Sequence, residues 1–454
     1  MSASVTGRVI LLVSIMVAVG AYSASAKQTE RPNVVFFLVD DLGWKDLSCY
    51  GSTFYETPNL DELVNGGMRF TNAYASCPVC SPTRAAIMTG KYQQRVGIIN
   101  YGKKPLPPGE VTMAAALKEA GYKTFFAGKW HLSSASGPLE RGFDVNKGGC
   151  AWGQPKSYYC PYGNPVLSDG PEGEYLTDRL ANEAVQFIEA NKKSPFFVCL
   201  SFYTVHTPKH ACKKHIARFT KKASELPEAD ITPIKESGGV TKARQDDPQQ
   251  ASMIHAMDEN VGRVLNKLTE SGLAENTIVV FTADNGGRAT LVKRPGETCN
   301  LPLRAGKGWC YEGGIRVCSI VKAPGVTKPG SVCDTPIISM DYYPTLLELT
   351  GCKLKPEQHK DGLSLVRLLK GEKALAREAL YWDYPMRHGS GWGGGSAVRS
   401  GDWKLVQLKR GDKVELYNLK TDLGEHNDLS AKYPHKIEAL QSMFREWKKD
   451  VADN

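Results

Sequence analysis

A chain of 454 residues with 41% hydrophobic and 23% charged residues is long enough for one large domain and a smaller one, and its composition excludes a disordered or fibrous protein. The formal net charge of +9 is spread over 57 basic and 48 acidic residues. Pairs such as Lys213-Lys214 and Lys221-Lys222 read as solvated surface with a modest attraction for anions, and no tract has the length of a nucleic-acid-binding arm.

At the N-terminus Arg8 precedes an apolar run over 9–19, and small residues end in Ala24-Ser25-Ala26 before Lys27. This reads as a signal peptide, residues 1–26, with an A-x-A cleavage site. The run is short for a membrane span, and no later segment is long and apolar enough for one. The expected mature chain begins near Lys27 and is soluble, periplasmic or secreted.

The run 33–39 (NVVFFLV) is unbroken and β-prone, as in a strand buried on both faces of a parallel sheet. Thr57-Pro58 opens a helix to residue 64, with proline in the first turn. Helices follow over 112–120, 175–191 and 251–271, the first and last closed by Gly121 and Gly272. Strands are expected at 123–127, 195–200 and 277–282. Alternating strands and helices make an α/β domain, 27–375, with a mostly parallel central sheet flanked by helices. Residues 208–250 are polar and basic and read as an insertion or loop. From 376 to 454 the pattern changes to short strands at 379–382, 396–399, 404–407 and 414–417 and a helix at 434–448. That is a small C-terminal α+β domain with an antiparallel sheet.

Twelve cysteines in an exported chain raise the possibility of disulfides, with Cys150/Cys160 and Cys299/Cys310 as loop-borne candidates, but connectivity does not follow from sequence. Cys77-Pro-Val-Cys80 is the one C-x-x-C pair, so a zinc ribbon lacks its second half.

Asp40-Asp41 follows the first buried strand and Asp284-Asn285 the strand at 277–282. Ligands of open α/β sheets bind beyond the carboxyl ends of strands, and two such ends with hard oxygen donors can hold a divalent cation. Singly, Asp-Asp also serves as a helix cap and Asn-Gly as a turn. Cys80-Ser-Pro-Thr-Arg84 leads into a short helix, where a thiol gains anion-binding N–H groups and a lowered pKa. A buried thiol or a Cys77–Cys80 disulfide is the alternative reading.

Cys-x-Pro-x-Arg resembles the signature of type I sulfatases, whose cysteine is oxidised to formylglycine (3-oxoalanine). Five more segments resemble blocks of that family in order: VVFFLVDDLGWKDLSCYG, GYKTFFAGKWHL, YTVHTP, FTADNGG and RAGKGWCYEGGIRV, over 32–429 in all. Thr83 stands where the family has Ser, and Ser133 where it has Gly. The resemblance implies an alkaline-phosphatase-like fold and a sulfuric ester hydrolase. It implies Ca²⁺ held by Asp40, Asp41, Asp284, Asn285 and the modified Cys80, and a formylglycine-generating maturation enzyme as partner. It further implies that Arg84 holds the hydrated aldehyde and that Lys129 and Lys307 neutralise the sulfate. His131 then acts as base and His206 protonates the leaving alcohol. His210, His215 and His255 lie outside the motifs and read as structural or surface residues.

The Gly-rich stretch 384–395 carries Arg387, His388 and Trp392 as candidate contacts for a sulfated sugar of galactose type, unless it is a flexible connector. Two other functions stay open: a phosphodiester or phosphonate monoester hydrolase of the same superfamily, and a non-catalytic carbohydrate-binding pseudo-sulfatase.

Overall fold

The apolar runs read from the sequence become neighbouring strands. In the computed structural model Asn33–Val39 has all seven residues buried, because it pairs in parallel with Phe196–Ser201 on one side and Thr277–Ala283 on the other. The structure describes residues 1–3 and 31–452, except 103, 133–136, 229–230, 374 and 410–411. Chain contacts divide the protein into residues 1–30 and 31–454, and the fold is that of the second unit. Of the signal-peptide segment, residues 4–26 lie outside the described residues, as does Ser133.

Across the central sheet the order is Ser331–Cys333, Met68–Tyr74, Arg316–Lys322, Thr277–Ala283, Asn33–Val39, Phe196–Ser201, Lys123–Gly128 and Val145–Lys147; Ile337–Ile338 also pairs with Met68–Tyr74. All pairings are parallel except those of Arg316–Lys322, which runs antiparallel to both its neighbours. Helices cover the sheet. Met113–Glu119 is started by Thr112, whose side chain accepts from Ala115 N. Pro248–Glu270 is started by Asp247, which accepts from Gln249 and Gln250 N, with Pro248 in the first turn. Leu176–Asn191 turns Leu180, Ala181, Ala184 and Ile188 inward.

The insertion expected over 208–250 is folded. It contains the helix Ile216–Ser224 and two short strands, Ile234–Lys235 and Val240–Thr241, which form a three-stranded sheet with Thr290–Leu291. The helix escaped notice because it is only nine residues long and mostly polar, with Phe219 its one buried residue.

A second sheet joins Leu380–Tyr384, Gly395–Ser400, Trp403–Leu408 and Lys413–Asn418, each antiparallel to the next. The helix Pro434–Ala452 buries Leu440, Phe444, Trp447 and Val451, a stripe at helical spacing. Trp447 stacks on Tyr381 at 5.0 Å and meets Tyr92 edge-on at the same distance. Burial of such aromatic side chains contributes about 1.5–3 kcal/mol each.

The twelve cysteines are all free thiols, eleven of them buried. The candidate pairs Cys150/Cys160 and Cys299/Cys310 are not bonded: the Cys160 thiol donates to Gly170 O, and Cys310 lies in the apolar core under the small sheet.

Candidate active site

Four parallel strands end on one side of the sheet, and the loops leaving them carry the chemistry. Asp40 and Asp41 follow Asn33–Val39, Lys129 and His131 follow Lys123–Gly128, His206 follows Phe196–Ser201, and Asp284 and Asn285 follow Thr277–Ala283. The chain crosses between these ends by backbone hydrogen bonds, Asp40 N to Thr204 O at 2.9 Å, Lys129 N to Ser201 O at 2.7 Å and Asp284 N to Val39 O at 3.1 Å. Asp41 and His131 have φ of 58° and 60°, a left-handed conformation costly for side chains with a Cβ.

Cys80 is the first residue of the helix Cys80–Thr89, all ten of whose residues are buried. Thr83 keeps the hydroxyl at that position useful: its Oγ1 accepts from Cys77 N at 3.2 Å and donates to Cys77 O at 2.9 Å. One turn on from Cys80, Arg84 donates through Nε to Asp284 Oδ2 at 2.8 Å and through Nη1 to Lys129 O and Ser201 Oγ, both at 2.6 Å. Lys129 Nζ meets Asp40 Oδ2 at 2.6 Å, and Lys307 Nζ meets Asp41 Oδ1 at 2.6 Å. His131 Nδ1 lies 3.3 Å from the Cys80 sulfur, and His206 Nε2 lies 3.7 Å from Asp41 Oδ2. The ten residues singled out from the motifs therefore converge at one place.

Burial pushes the Asp40 carboxyl well above its usual range, against the pull of Lys129, and the nearby Asp284 and Asp41 charges add to the rise. Burial acts likewise on Asp41, but Lys307, His206 and Lys129 outweigh it and hold that carboxyl below its usual range. Burial and the surrounding cations, Lys129, Arg84 and Lys307, hold His131 well below its usual value; burial and Lys307 do the same for His206. Both imidazoles are thus neutral. His206 Nδ1 faces the Thr207 carbonyl at 3.0 Å, so Nδ1 carries the proton and Nε2 a lone pair.

Asp40 Oδ1 and Asn285 Oδ1 are buried with no hydrogen-bond partner. Donor atoms of Asp40, Cys80 and Asp284 lie within 4.8 Å of one another, as do those of Asp40, Asp41 and His206. Unsatisfied buried oxygens beside clustered carboxylates suit a hard divalent cation, which prefers such oxygen donors.

The site opens into a cleft of about 430 Å³ lined by Cys80, His131, His206 and Lys307 at its floor and by Tyr101, Gln154, Arg288 and His388 above. Gly153 packs so close that a Cβ there would lie 2.7 Å from the His131 ring, and a Cβ at Gly308 would lie 2.1 Å from His388 Nδ1. Neither position leaves room for a side chain beside these imidazoles.

The sequence model of the sulfatase family matches residues 32–352. The chain belongs to the sulfatase family. A second model, of the N-sulphoglucosamine sulphohydrolase C-terminal region, matches residues 305–451. A sulfatase of Formosa agariphila is 32% identical, covering 93% of this chain and 88% of the relative. The N-acetylgalactosamine-6-sulfatase of Rattus norvegicus is 31% identical, over 82% and 72%. Among solved structures, Ps i-CgsB in complex with k-i-k-neocarrahexaose has a TM-score of 0.78 at 30% identity, covering 94% of both chains. The protein is a sulfatase-type hydrolase on the alkaline-phosphatase-like fold, a mostly parallel sheet with an antiparallel C-terminal sheet.

Of the three residues picked from the Gly-rich stretch, His388 alone lines the cleft. Trp392 must be corrected: it is 2% exposed, packs against Trp309 at 5.4 Å and donates its indole N–H to Tyr384 O, so neither ring face is open to a sugar. Arg387 is exposed and is not among the cleft-lining residues. The stretch is ordered by His388 N donating to Trp392 O. Sequence reading missed Arg288 and Tyr101 at the cleft and Ser201 beneath it. Arg288 could have been found from its place four residues after Asp284. Trp152, half-buried with Lys156 Nζ 4.8 Å over its ring, lines an adjoining groove that shares Gly153, Gln154 and Thr207 with the cleft.

Proposed function

We propose that the protein hydrolyses a sulfate ester of a carbohydrate, of galactose type, with Cys80 converted to formylglycine and with Ca²⁺ held by Asp40, Asp41, Asp284, Asn285 and residue 80. The observation that carries the reading is the pair of unpartnered oxygens, Asp40 Oδ1 and Asn285 Oδ1, beside a residue 80 ringed by Arg84, Lys129, Lys307 and two neutral imidazoles. When present, the cation supplies a fixed positive charge for a sulfate oxygen and the hydrated aldehyde supplies the nucleophilic oxygen.

The chain's own residues do the rest. Lys129 and Lys307, each already held by an aspartate, are preorganised to face the charge of the sulfate. Arg84, locked by Asp284 and by the Lys129 carbonyl, fixes the orientation of residue 80. His131, beside residue 80, takes a proton from its hydroxyl. His206 presents Nε2 to the cleft; an arriving anion favours its protonated form, from which it gives a proton to the leaving alcohol.

The sugar class rests on the name of the relative acting on N-acetylgalactosamine 6-sulfate and on the structural neighbour that holds a neocarrahexaose. In this chain Trp152 offers the aromatic face for a sugar ring, and Arg288 and His388 offer polar contacts at the cleft mouth. Export to the periplasm or medium is the reading that the A-x-A segment at 24–26 supports.

The test is release of inorganic sulfate from a panel of sulfated oligosaccharides in calcium, with conversion of Cys80 confirmed by peptide mass. Release that falls by about 10⁴-fold or more in Cys80→Ala supports the reading. A converted Cys80 with no release from any member, and turnover of phosphate esters instead, would sink it.

A further inference from the structure

Two of the histidines outside the family motifs are brought together by the fold. His255 and Glu259 stand one turn apart on the helix Pro248–Glu270, hence on one face. His215 immediately precedes the helix Ile216–Ser224 and reaches across to them. Its Nε2 lies 2.7 Å from Glu259 Oε2, and its ring meets that of His255 edge-on at 4.6 Å. One donor atom from each of His215, His255 and Glu259 lies within 4.8 Å of the others.

The surroundings prepare these donors. His255 Nδ1 lies 2.8 Å from the Glu56 carbonyl, which can only accept, so Nδ1 carries the proton and Nε2 presents a lone pair. That is the outer contact by which metal-binding histidines are oriented. Both histidines are 7% exposed, and Phe219 packs on the His255 ring at 5.6 Å, which gives the cluster an apolar wall. Lys214 also reaches Glu259, at 2.9 Å, but its side chain is 68% exposed and can leave at little cost.

We propose that His215, His255 and Glu259 bind one divalent ion of the zinc class, with the fourth position left to water. Two imidazoles and a carboxylate are a zinc donor set, whereas the all-oxygen aspartate set of the active site suits calcium. On binding, the His215 proton passes from Nε2 to Nδ1, and Nε2 turns its freed lone pair to the ion. The ion then ties the helix Ile216–Ser224, within the segment 208–250 that leaves the His206 loop, to the long helix behind it.

The experiment uses the full chain, stripped with chelator and then held in excess calcium so that the oxygen-rich site is filled. Co²⁺ is added as the probe. The expected result is one equivalent of four-coordinate cobalt, seen by its intense visible bands without a thiolate charge-transfer band and displaced by Zn²⁺. His255→Gln and His215→Gln should each weaken binding by at least about 100-fold, since loss of an outer contact alone costs 10–100-fold. Glu259→Gln, at a half-exposed position, gives the same readout if a histidine variant folds poorly. Zn²⁺ should raise the melting temperature of the unsubstituted protein and not that of the variants, while sulfate release in calcium stays unchanged. No four-coordinate spectrum, or one that persists in both histidine variants, would overturn the assignment.

Discussion

Two buried clusters of charge, one under the cleft and one beneath the small sheet, look alike in composition and differ in how fully they are paired. Beneath the small sheet Lys404 Nζ meets Glu312 Oε1 at 2.9 Å and Glu425 Oε1 at 2.8 Å. Glu312 also takes Arg316 Nε at 2.7 Å and the Tyr74 hydroxyl at 2.8 Å, while Glu425 accepts from Glu312 N at 2.6 Å. Glu425 Oε1 lacks an aligned hydrogen bond, but it still faces the Lys404 ammonium as an ion pair. Under the cleft Lys129, Lys307 and Arg84 match Asp40, Asp41 and Asp284 in number, yet Asp40 Oδ1 and Asn285 Oδ1 are left without partners. Charge balance therefore does not separate a structural cluster from a functional one. Unsatisfied donors and acceptors at the end of a cleft do.

The sharpest way to break the comparison is to remove one lysine from each. Lys404→Met strips both Glu312 and Glu425 of their shared cation in a dry setting, and loss of one partner of a buried pair costs about 3–5 kcal/mol. Urea unfolding should register that loss, with kcat and KM of the remaining folded protein unchanged. Lys307→Met should do the reverse. Sulfate release should fall by about 10²–10³-fold, as when a preorganised charge on a transition state is lost, while in calcium the urea midpoint should fall less than in Lys404→Met, because the ion still faces Asp41. If Lys404→Met damaged turnover as much as Lys307→Met, the division between the clusters would fail.

A smaller effect separates them by cation. Calcium at about 100 times its dissociation constant stabilises the folded state by about 2.7 kcal/mol if it binds that state alone. Melting of the chelator-treated protein should rise on adding calcium, less so in Asn285→Ala. In Lys404→Met the rise should be retained in full, because Asp40, Asp41, Asp284 and Asn285 are untouched by that change.

Much of this was legible in the sequence, for a physical reason. Strands such as Asn33–Val39 and Thr277–Ala283 are buried on both faces, so they read as unbroken apolar runs, and the acids at their ends stand out against that background. Met68–Tyr74 and Arg316–Lys322 carry polar or charged residues and escaped notice; their place comes from pairing with each other and, for Arg316–Lys322, with Thr277–Ala283. Trp392 was misplaced because a Gly-rich stretch suggests an open loop, whereas here its turn folds the indole back into the core. The His215–His255–Glu259 grouping depends on residues forty apart and on a short, polar helix inside a segment that reads as a loop.

The gentlest probe is pH. Burial pushes Glu425 up to about 7, against the pull of Lys404 and with help from the charge on Glu312. The folded state thus binds the Glu425 proton more tightly than the unfolded chain, whose glutamate titrates near 4.5. The stability this proton contributes is fully present below about 4.5, is lost as pH rises, and is gone above about 7. Burial also raises Asp46 and Asp258, each to about 6, so they slope the same way and the raw curve of the unsubstituted protein mixes several groups. The informative quantity is the difference between that curve and the curve of Glu425→Gln, measured by urea unfolding from about pH 5 to about pH 8. The amide also disturbs the hydrogen bonds around Lys404, which displaces the variant's curve by an amount independent of pH. Only the slope is diagnostic. It should be shallower in the variant by about 1–2 kcal/mol over the interval, less than the full 1.36 kcal/mol per unit because Glu425 titrates jointly with its neighbours. Parallel curves would mean that Lys404 keeps Glu425 ionised throughout, and the cluster beneath the small sheet would then be a fixed charge network with no titrating member.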